Sequence, residues 1–176
     1  MKKVFREDLE KQSKKKVLQT DIKAIEKHFM HNFPREYIEF LLQYGHPTFS
    51  VDVDASILIE VDNKKIVEML FSFLHPIESY ATYLELRKDS YYENEPIVSK
   101  NMIPILDMIG NDGDNYIVMD LKDASIWMLI YPVSTSSKRK TFGFIANSFN
   151  EFLEKIDDYD KLNSLLNPKK KSPSSL

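Results

Sequence analysis

The sequence predicts an α+β domain in which short antiparallel strands are covered by amphipathic helices. The main observation is in residues 102–131, where three apolar runs are separated by two segments rich in turn-forming Gly, Asn and Asp. Apolar residues at helical spacing occur in the flanking segments. With 176 residues, 43% of them hydrophobic, the chain is long enough for one domain with a substantial core.

The strand prediction depends on alternation, β-branched and aromatic residues, and the turns between the runs. Six main runs are expected, and residues 141–145 return briefly to the sheet. In chain order the six runs are residues 48–53, 57–61, 66–73, 103–109, 116–121 and 126–131.

Two helices joined at Pro34 are predicted near the N-terminus. Thr20 or Asp21 is expected to cap the first helix, and Pro34 to open the second, because a first-turn residue needs no backbone N–H. Gly45 is expected to end the second helix with a left-handed cap. The predicted buried positions are Ile22, Ile25 and Phe29 in the first helix and Tyr37, Phe40, Leu41 and Tyr44 in the second.

A middle helix and a C-terminal helix are predicted to cover the sheet. The middle helix occupies residues 77–87, and Ser148 with Glu151 forms a capping box at the start of the last helix. The apolar stripes are Ile77, Tyr80, Ala81 and Leu84 in the middle helix and Phe149, Phe152, Leu153 and Ile156 in the last.

Charge divides the chain into a basic arm, residues 1–16, an acidic domain, residues 17–166, and a disordered basic tail, residues 167–176. The first 16 residues carry seven Lys or Arg against three Asp or Glu, and we expect a loose helical arm there. Residues 17–167 carry a net charge of −10. An acidic body argues against nucleic-acid binding and suits a basic protein partner, although acidic surfaces also serve solubility alone.

The composition also bears on compartment and chemistry. With no cysteine, the chain has neither disulfides nor thiolate metal ligands nor a cysteine nucleophile. The lysine-rich first 16 residues lack the apolar stretch of a secretory signal, and no run has the roughly 20 apolar residues of a membrane span. We therefore expect a cytoplasmic protein that does not associate with membranes.

Three segments in order resemble the SUKH superfamily, which includes yeast cell-wall-assembly regulators and bacterial toxin-immunity proteins. Residues 33–45 resemble the family's L-P-x-x-Y-x-x-F-L helix, which is followed by N-G. Residues 103–120 resemble its strand–turn–strand segment, which begins with I-P-I. Residues 145–153 resemble its terminal helix, with the pattern A-x-S-F-x-E-F-L. Phe33 replaces the usual Leu, and Gly45 with His46 and Pro47 replaces Asn-Gly. The resemblance implies one domain with a curved, mostly antiparallel mixed sheet of about six strands, and a role in binding partner proteins.

Candidate catalytic and metal-binding residues have simpler explanations. His28 and His31 share a helix but no H-E-x-x-H pattern surrounds them. Residues 107–114 superficially suggest a calcium loop, but Ile109 and Val118 occupy ligand positions, so a strand-joining turn explains them better. Serines at positions 134, 136 and 137 lie outside any G-x-S-x-G motif. We therefore expect no enzymatic activity, cofactor or metal.

A partner-binding surface is predicted on one face of the sheet. Alternation places Tyr116 and Asp120 on the face opposite to the predicted core residues, and a curved sheet could make that face concave. Aromatic side chains beside carboxylates are typical of protein-binding hot spots. The predicted partner-binding residues are Asp112, Asp114, Tyr116, Asp120, Trp127 and Tyr131. The alternative for Trp127 is a core position.

The preferred hypothesis is an immunity protein that binds and neutralises a cognate bacterial toxin, as the resemblance implies. One alternative is an adaptor or regulatory scaffold for other proteins, and a second is a sensor that binds a small ligand or nucleotide in the sheet cavity. The sequence does not predict the oligomeric state.

Overall fold

The computed structural model describes residues 1–12, 16–61, 63–88, 96–109, 115–130 and 141–167. Its helices are α1 (Lys3–Gln12), α2 (Gln19–Phe29), α3 (Arg35–Tyr44), α4 (Pro76–Lys88), α5 (Phe149–Lys155) and α6 (Tyr159–Leu166). Its strands are β1 (Ala55–Val61), β2 (Lys64–Phe73), β3 (Met102–Ile109), β4 (Tyr116–Asp120), β5 (Ile126–Ile130), β6 (Thr141–Ala146) and β7 (Asp157–Asp158). The predicted α+β class is confirmed.

The strands form one sheet in the order β6-β5-β4-β3-β2-β1-β7. Every described pairing is antiparallel, and there are seven described strands where about six were predicted. Register shifts interrupt the pairing of β2 with β3, β3 with β4, and β5 with β6. Such irregularities increase strand twist and bending, so they help the sheet to curl.

The sheet curls until β6 approaches β1, although the two strands are not neighbours in the hydrogen-bonded order. A Cβ atom built at Gly143 in β6 would lie 2.7 Å from Cγ2 of Val61 and 3.4 Å from the carbonyl oxygen of Glu60 in β1. Gly143 pairs with Met128, a core residue of β5, and so shares its face of the sheet. The concave face is therefore the one that holds the core, and the opposite face is convex.

Aromatic side chains fill the concave face. Phe149 lies at their centre, with its ring centroid 5.0 Å from that of Tyr37 and 5.2 Å from that of Phe40. Phe73 of β2 approaches from the sheet at 6.3 Å. The predicted stripes of α2, α3 and α5 are all buried in this core, so these three helices were predicted correctly.

The first twelve residues contribute to the core, contrary to the expectation of a loose arm. Phe5 and Leu9 are 1% and 0% exposed, and Phe5 packs edge-on against Phe49. Asp8, which is also buried, accepts a hydrogen bond of 2.9 Å from the backbone N–H of Ser50. Because α1 is rich in basic residues, its buried side was not recognised in the sequence.

Helix α4 packs with a different side from the one predicted. Ile77 is 56% and Leu84 37% exposed, whereas Ser79 and Leu86 are buried. The hydroxyl of Ser79 donates a hydrogen bond to the carbonyl of Pro104 in β3. Since Ser79 is small, the helix can approach the strand closely at this position.

Several local predictions needed correction. Residues 48–53 do not form a strand; Thr48 makes one isolated bridge to Ser72. The N-cap of α2 is Leu18, whose backbone N–H donates to the carboxylate of Asp21. Helix α3 begins at Arg35 with Pro34 as its N-cap, and Gly45 has a positive φ of 73° without being left-handed helical in ψ.

Candidate functional site

The convex face of strands β3 to β6 carries a second apolar cluster, separate from the core. Across the strands, Trp127 of β5 pairs with Val118 of β4 and Phe144 of β6. Leu129 pairs in the same way with Tyr116 and Phe142. We call the four side chains Tyr116, Trp127, Phe142 and Phe144 the aromatic patch.

The centre of this cluster is covered, but its margin is open. Val118 and Leu129 are 0% exposed, because Leu86 of α4 and the following Ile97 and Val98 pack over them. Tyr116, Trp127 and Phe142 are half-buried, and Phe144 is 42% exposed. The aromatic patch is thus a solvent-facing margin around a small buried centre.

Trp127 is held in place by the turn between β4 and β5. Its indole Nε1 donates a 2.8 Å hydrogen bond to Oγ of Ser125, and that hydroxyl donates a 2.6 Å hydrogen bond to Oδ1 of Asp123. The Phe144 ring lies edge-to-face with the indole at a centroid distance of 5.1 Å. Because the polar atom of Trp127 already has a partner, a ligand on this surface would meet mainly its ring.

Two carboxylates lie in the same turn. Asp120 accepts a 2.9 Å hydrogen bond from the backbone N–H of Lys122, and Asp123 accepts a 2.9 Å bond from the backbone N–H of Ser125. Hydrogen bonds from Ser125, first from its side chain and then from its backbone, lower the pKa of Asp123 below its ordinary value. Asp123 therefore stays ionised at neutral pH and presents negative charge beside the aromatic patch.

Three of the six predicted partner-binding residues fall within the described part of the chain. Tyr116, Asp120 and Trp127 share the convex face, with Trp127 at the margin of the second cluster and not in the central core. The prediction for Asp112, Asp114 and Tyr131 lies outside the described residues.

Sequence reasoning missed Phe142, Phe144 and Asp123. The two phenylalanines alternate in residues 141–146, which is the expected signal for one shared face, but their strand partner was not assigned. Asp123 contacts Ser125, which lies two residues further along the same turn. An Asp that accepts a hydrogen bond from the backbone two residues on is common in turns, so this spacing could have suggested the contact.

The histidines occupy other parts of the molecule. His28 stacks on Tyr80 with ring centroids 4.8 Å apart. His46 and His75 lie edge-to-face at 5.3 Å, and Nε2 of His75 is 3.7 Å from the Asp21 carboxylate. Within the described ranges, no three His, Cys, Asp or Glu side chains are grouped so as to hold a metal ion.

A polar cleft of about 440 Å³ lies between α1, α3 and α5. Its apolar floor includes Phe40 and Leu153. Its charged lining consists of Glu10, Glu36, Glu39, Glu154 and Arg6. Because Glu39 is paired with Arg35 at 2.7 Å, part of this acidic charge is neutralised within α3.

In the portion of the chain that the structure covers, no helix is both long and apolar enough to cross a membrane.

The combination of helical layers, a curled antiparallel sheet and a non-core aromatic surface defines a small α+β domain. The family model of the SMI1 / KNR4 family (SUKH-1) matches residues 16–155, which is most of the chain. The chain therefore belongs to the SMI1/KNR4 (SUKH-1) family. A search of curated proteins finds no matching relative.

Proposed function

We propose that this protein is a non-catalytic binding domain of the immunity type, which neutralises a bacterial toxin by direct contact. Membership of the SUKH-1 family supports an immunity or regulatory role. The observation that carries the proposal is the aromatic patch, in which a solvent-facing Phe144 adjoins a hydrogen-bonded Trp127. Large aromatic side chains around a buried centre are the typical anchors of protein–protein interfaces.

The proposed mechanism is occlusion. The sheet and its core hold the aromatic patch rigidly, so little conformational entropy would be lost when a partner binds. Negative charge at Asp120 and Asp123 would raise the association rate of a basic partner. The complex would form in the cytoplasm, where the bound toxin could not reach its substrate.

The test is protection of cells that produce a candidate toxin, chosen as a secreted effector encoded next to this protein. We expect survival with the wild-type protein and loss of protection, together with loss of co-purification, for Phe144→Ser. The matched control is Phe71→Ser, since Phe71 of β2 is similarly exposed at 39% but is not part of the aromatic patch. Circular dichroism checks that both variants fold.

Equal protection by both variants would show that the aromatic patch is not the contact surface. If the wild-type protein protects no cell but co-purifies with several host proteins, the regulatory scaffold is the correct function. That alternative is consistent with the same family membership.

A further inference from the structure

We infer that the aromatic patch and the adjoining turn recognise an arginine side chain of the partner. The inference rests on the proposed function and deepens it, because it names the chemical group that is bound. It is carried by the hydroxyl of Ser125, which joins the carboxylate of Asp123 to the partly open ring of Trp127, and by Asp120 at the start of the same turn.

The aromatic part of the site suits a planar cation. Trp127 and Phe144 meet edge-to-face, with 74° between their ring planes, and the exposed fraction of Phe144 is 42%. A guanidinium group is attracted to the face of an aromatic ring, and indole is the most favourable ring. The aliphatic part of an arginine side chain would also cover apolar surface at the patch.

The carboxylates supply the matching charge. In Asp120 and in Asp123 the described hydrogen bonds all reach Oδ1, so Oδ2 of each has no described hydrogen bond. Ser125 joins Asp123 to the indole of Trp127 through a single hydroxyl group. Because a guanidinium can stack on a ring and donate to a carboxylate at the same time, arginine fits this arrangement better than the compact ammonium of lysine.

The lysine of the turn itself does not occupy the site. Lys122 lies in the same turn and is exposed, and no ion pair joins its side chain to Asp120 or Asp123 among the described residues. An arginine from a partner would therefore add a charge partner that the turn itself does not provide.

The experiment uses the full chain and its single tryptophan, Trp127, as the reporter. A blocked hexa-arginine peptide is titrated while Trp127 fluorescence is recorded, and hexa-lysine and hexa-glutamate peptides are titrated in parallel. We expect a saturable change with hexa-arginine, binding at least tenfold weaker with hexa-lysine, and none with hexa-glutamate.

Two charge-matched variants locate the binding. Asp120→Asn with Asp123→Asn should weaken hexa-arginine binding at least tenfold, and asparagine can still accept the hydrogen bonds of Ser125. Glu10→Gln with Glu36→Gln removes the same charge from the cleft between α1, α3 and α5 and should change the affinity less than twofold. Equal effects of both pairs, or a larger effect of the cleft pair, would overturn the inference.

The other outcomes are also decisive. Equal binding of hexa-lysine and hexa-arginine would show that the site does not distinguish a guanidinium from an ammonium group, which would overturn the inference. If Trp127 fluorescence depends on protein concentration in the absence of peptide, a second copy of the chain covers Trp127, which would also overturn it. If the double variant Asp120→Asn, Asp123→Asn no longer binds the arginine peptide but still protects cells fully, the inference fails while the proposed function stands. If arginine binds at this site but no cell is protected, the proposed function fails instead.

Discussion

The hydroxyl of Ser125 joins two side chains, because it accepts a hydrogen bond from the indole of Trp127 and donates one to the carboxylate of Asp123. Ser125 is itself 8% exposed, so water cannot readily replace the lost partner in a variant. Ser125→Ala should destabilise the protein by about 1–2 kcal/mol, the cost of leaving a partly buried N–H unpaired.

The same variant should change the emission and anisotropy of the single tryptophan, because the ring is no longer fixed. Urea unfolding and fluorescence measure the two effects. Ser99→Ala, at an exposed position without a described side-chain hydrogen bond, is the control. An unchanged tryptophan signal in Ser125→Ala would show that Phe144 and Val118 alone position the indole.

Glu151 stabilises the start of α5 in a way that differs from the predicted capping box. Ser148 accepts from the backbone N–H of Glu151 as expected, but the Glu151 carboxylate accepts from the backbone and side chain of Asn147. Lys155, and next Asn147, lower the pKa of Glu151 from 4.5 to about 2.

This lowered pKa predicts an acid-dependent contribution to stability. The contribution is complete above pH 4.5, where the unfolded chain is also ionised, and is lost as the pH falls through about 2. Glu151→Gln should therefore be less stable than the wild type at pH 7, with a difference that disappears near pH 2. Urea unfolding over this range measures it, and Glu154→Gln on the same helix is the control.

At the scale of the element, α1 shows how a charged helix can belong to a core. Its buried residues Phe5 and Leu9 are four apart, but Val4 is 52% exposed, so no continuous apolar stripe marks the helix. Leu9→Ala should lower the free energy of unfolding by about 2–5 kcal/mol, because it leaves a cavity in a fully buried site.

The control for α1 is Val4→Ala, which should change the free energy of unfolding by less than about 0.5 kcal/mol because surface substitutions generally do so. Urea unfolding compares the two. A small effect of Leu9→Ala would mean that α1 is the loose helical arm that the charge pattern predicted.

Strand β6 depends on the absence of a side chain at Gly143. A methyl group there would lie 2.7 Å from Val61, whose branched side chain has little freedom to move away. Gly143→Ala should destabilise the protein by about 1–3 kcal/mol through overpacking. Val61→Ala should relieve part of this loss, and a double-mutant cycle of urea unfolding measures the coupling. Strict additivity would contradict contact between β6 and β1.

At the scale of the whole molecule, the parts predictable from sequence were those fixed by local pattern. Helices α2, α3 and α5 have strong apolar stripes, and in the sequence the apolar runs of β3, β4 and β5 are separated by turn-forming residues. Local alternation also placed Tyr116 and Asp120 on one face.

What could not be predicted depends on contacts between distant segments. The curl of the sheet follows from bulges and from the approach of β6 to β1, so the convex position of the aromatic patch was not visible in the sequence. The covering of Val118 and Leu129 by Ile97 and Val98 is likewise a tertiary contact. Helix α4 packs through Ser79, a polar residue that apolar periodicity ignores.

The gap between β6 and β1 has a consequence for dynamics. Within the described residues no backbone hydrogen bond joins these strands, whereas β3 is paired on both sides. Amide hydrogens that point into the gap should therefore exchange with deuterium sooner than those of β3. Exchange measured by mass spectrometry would then reveal the line along which the curled sheet opens first.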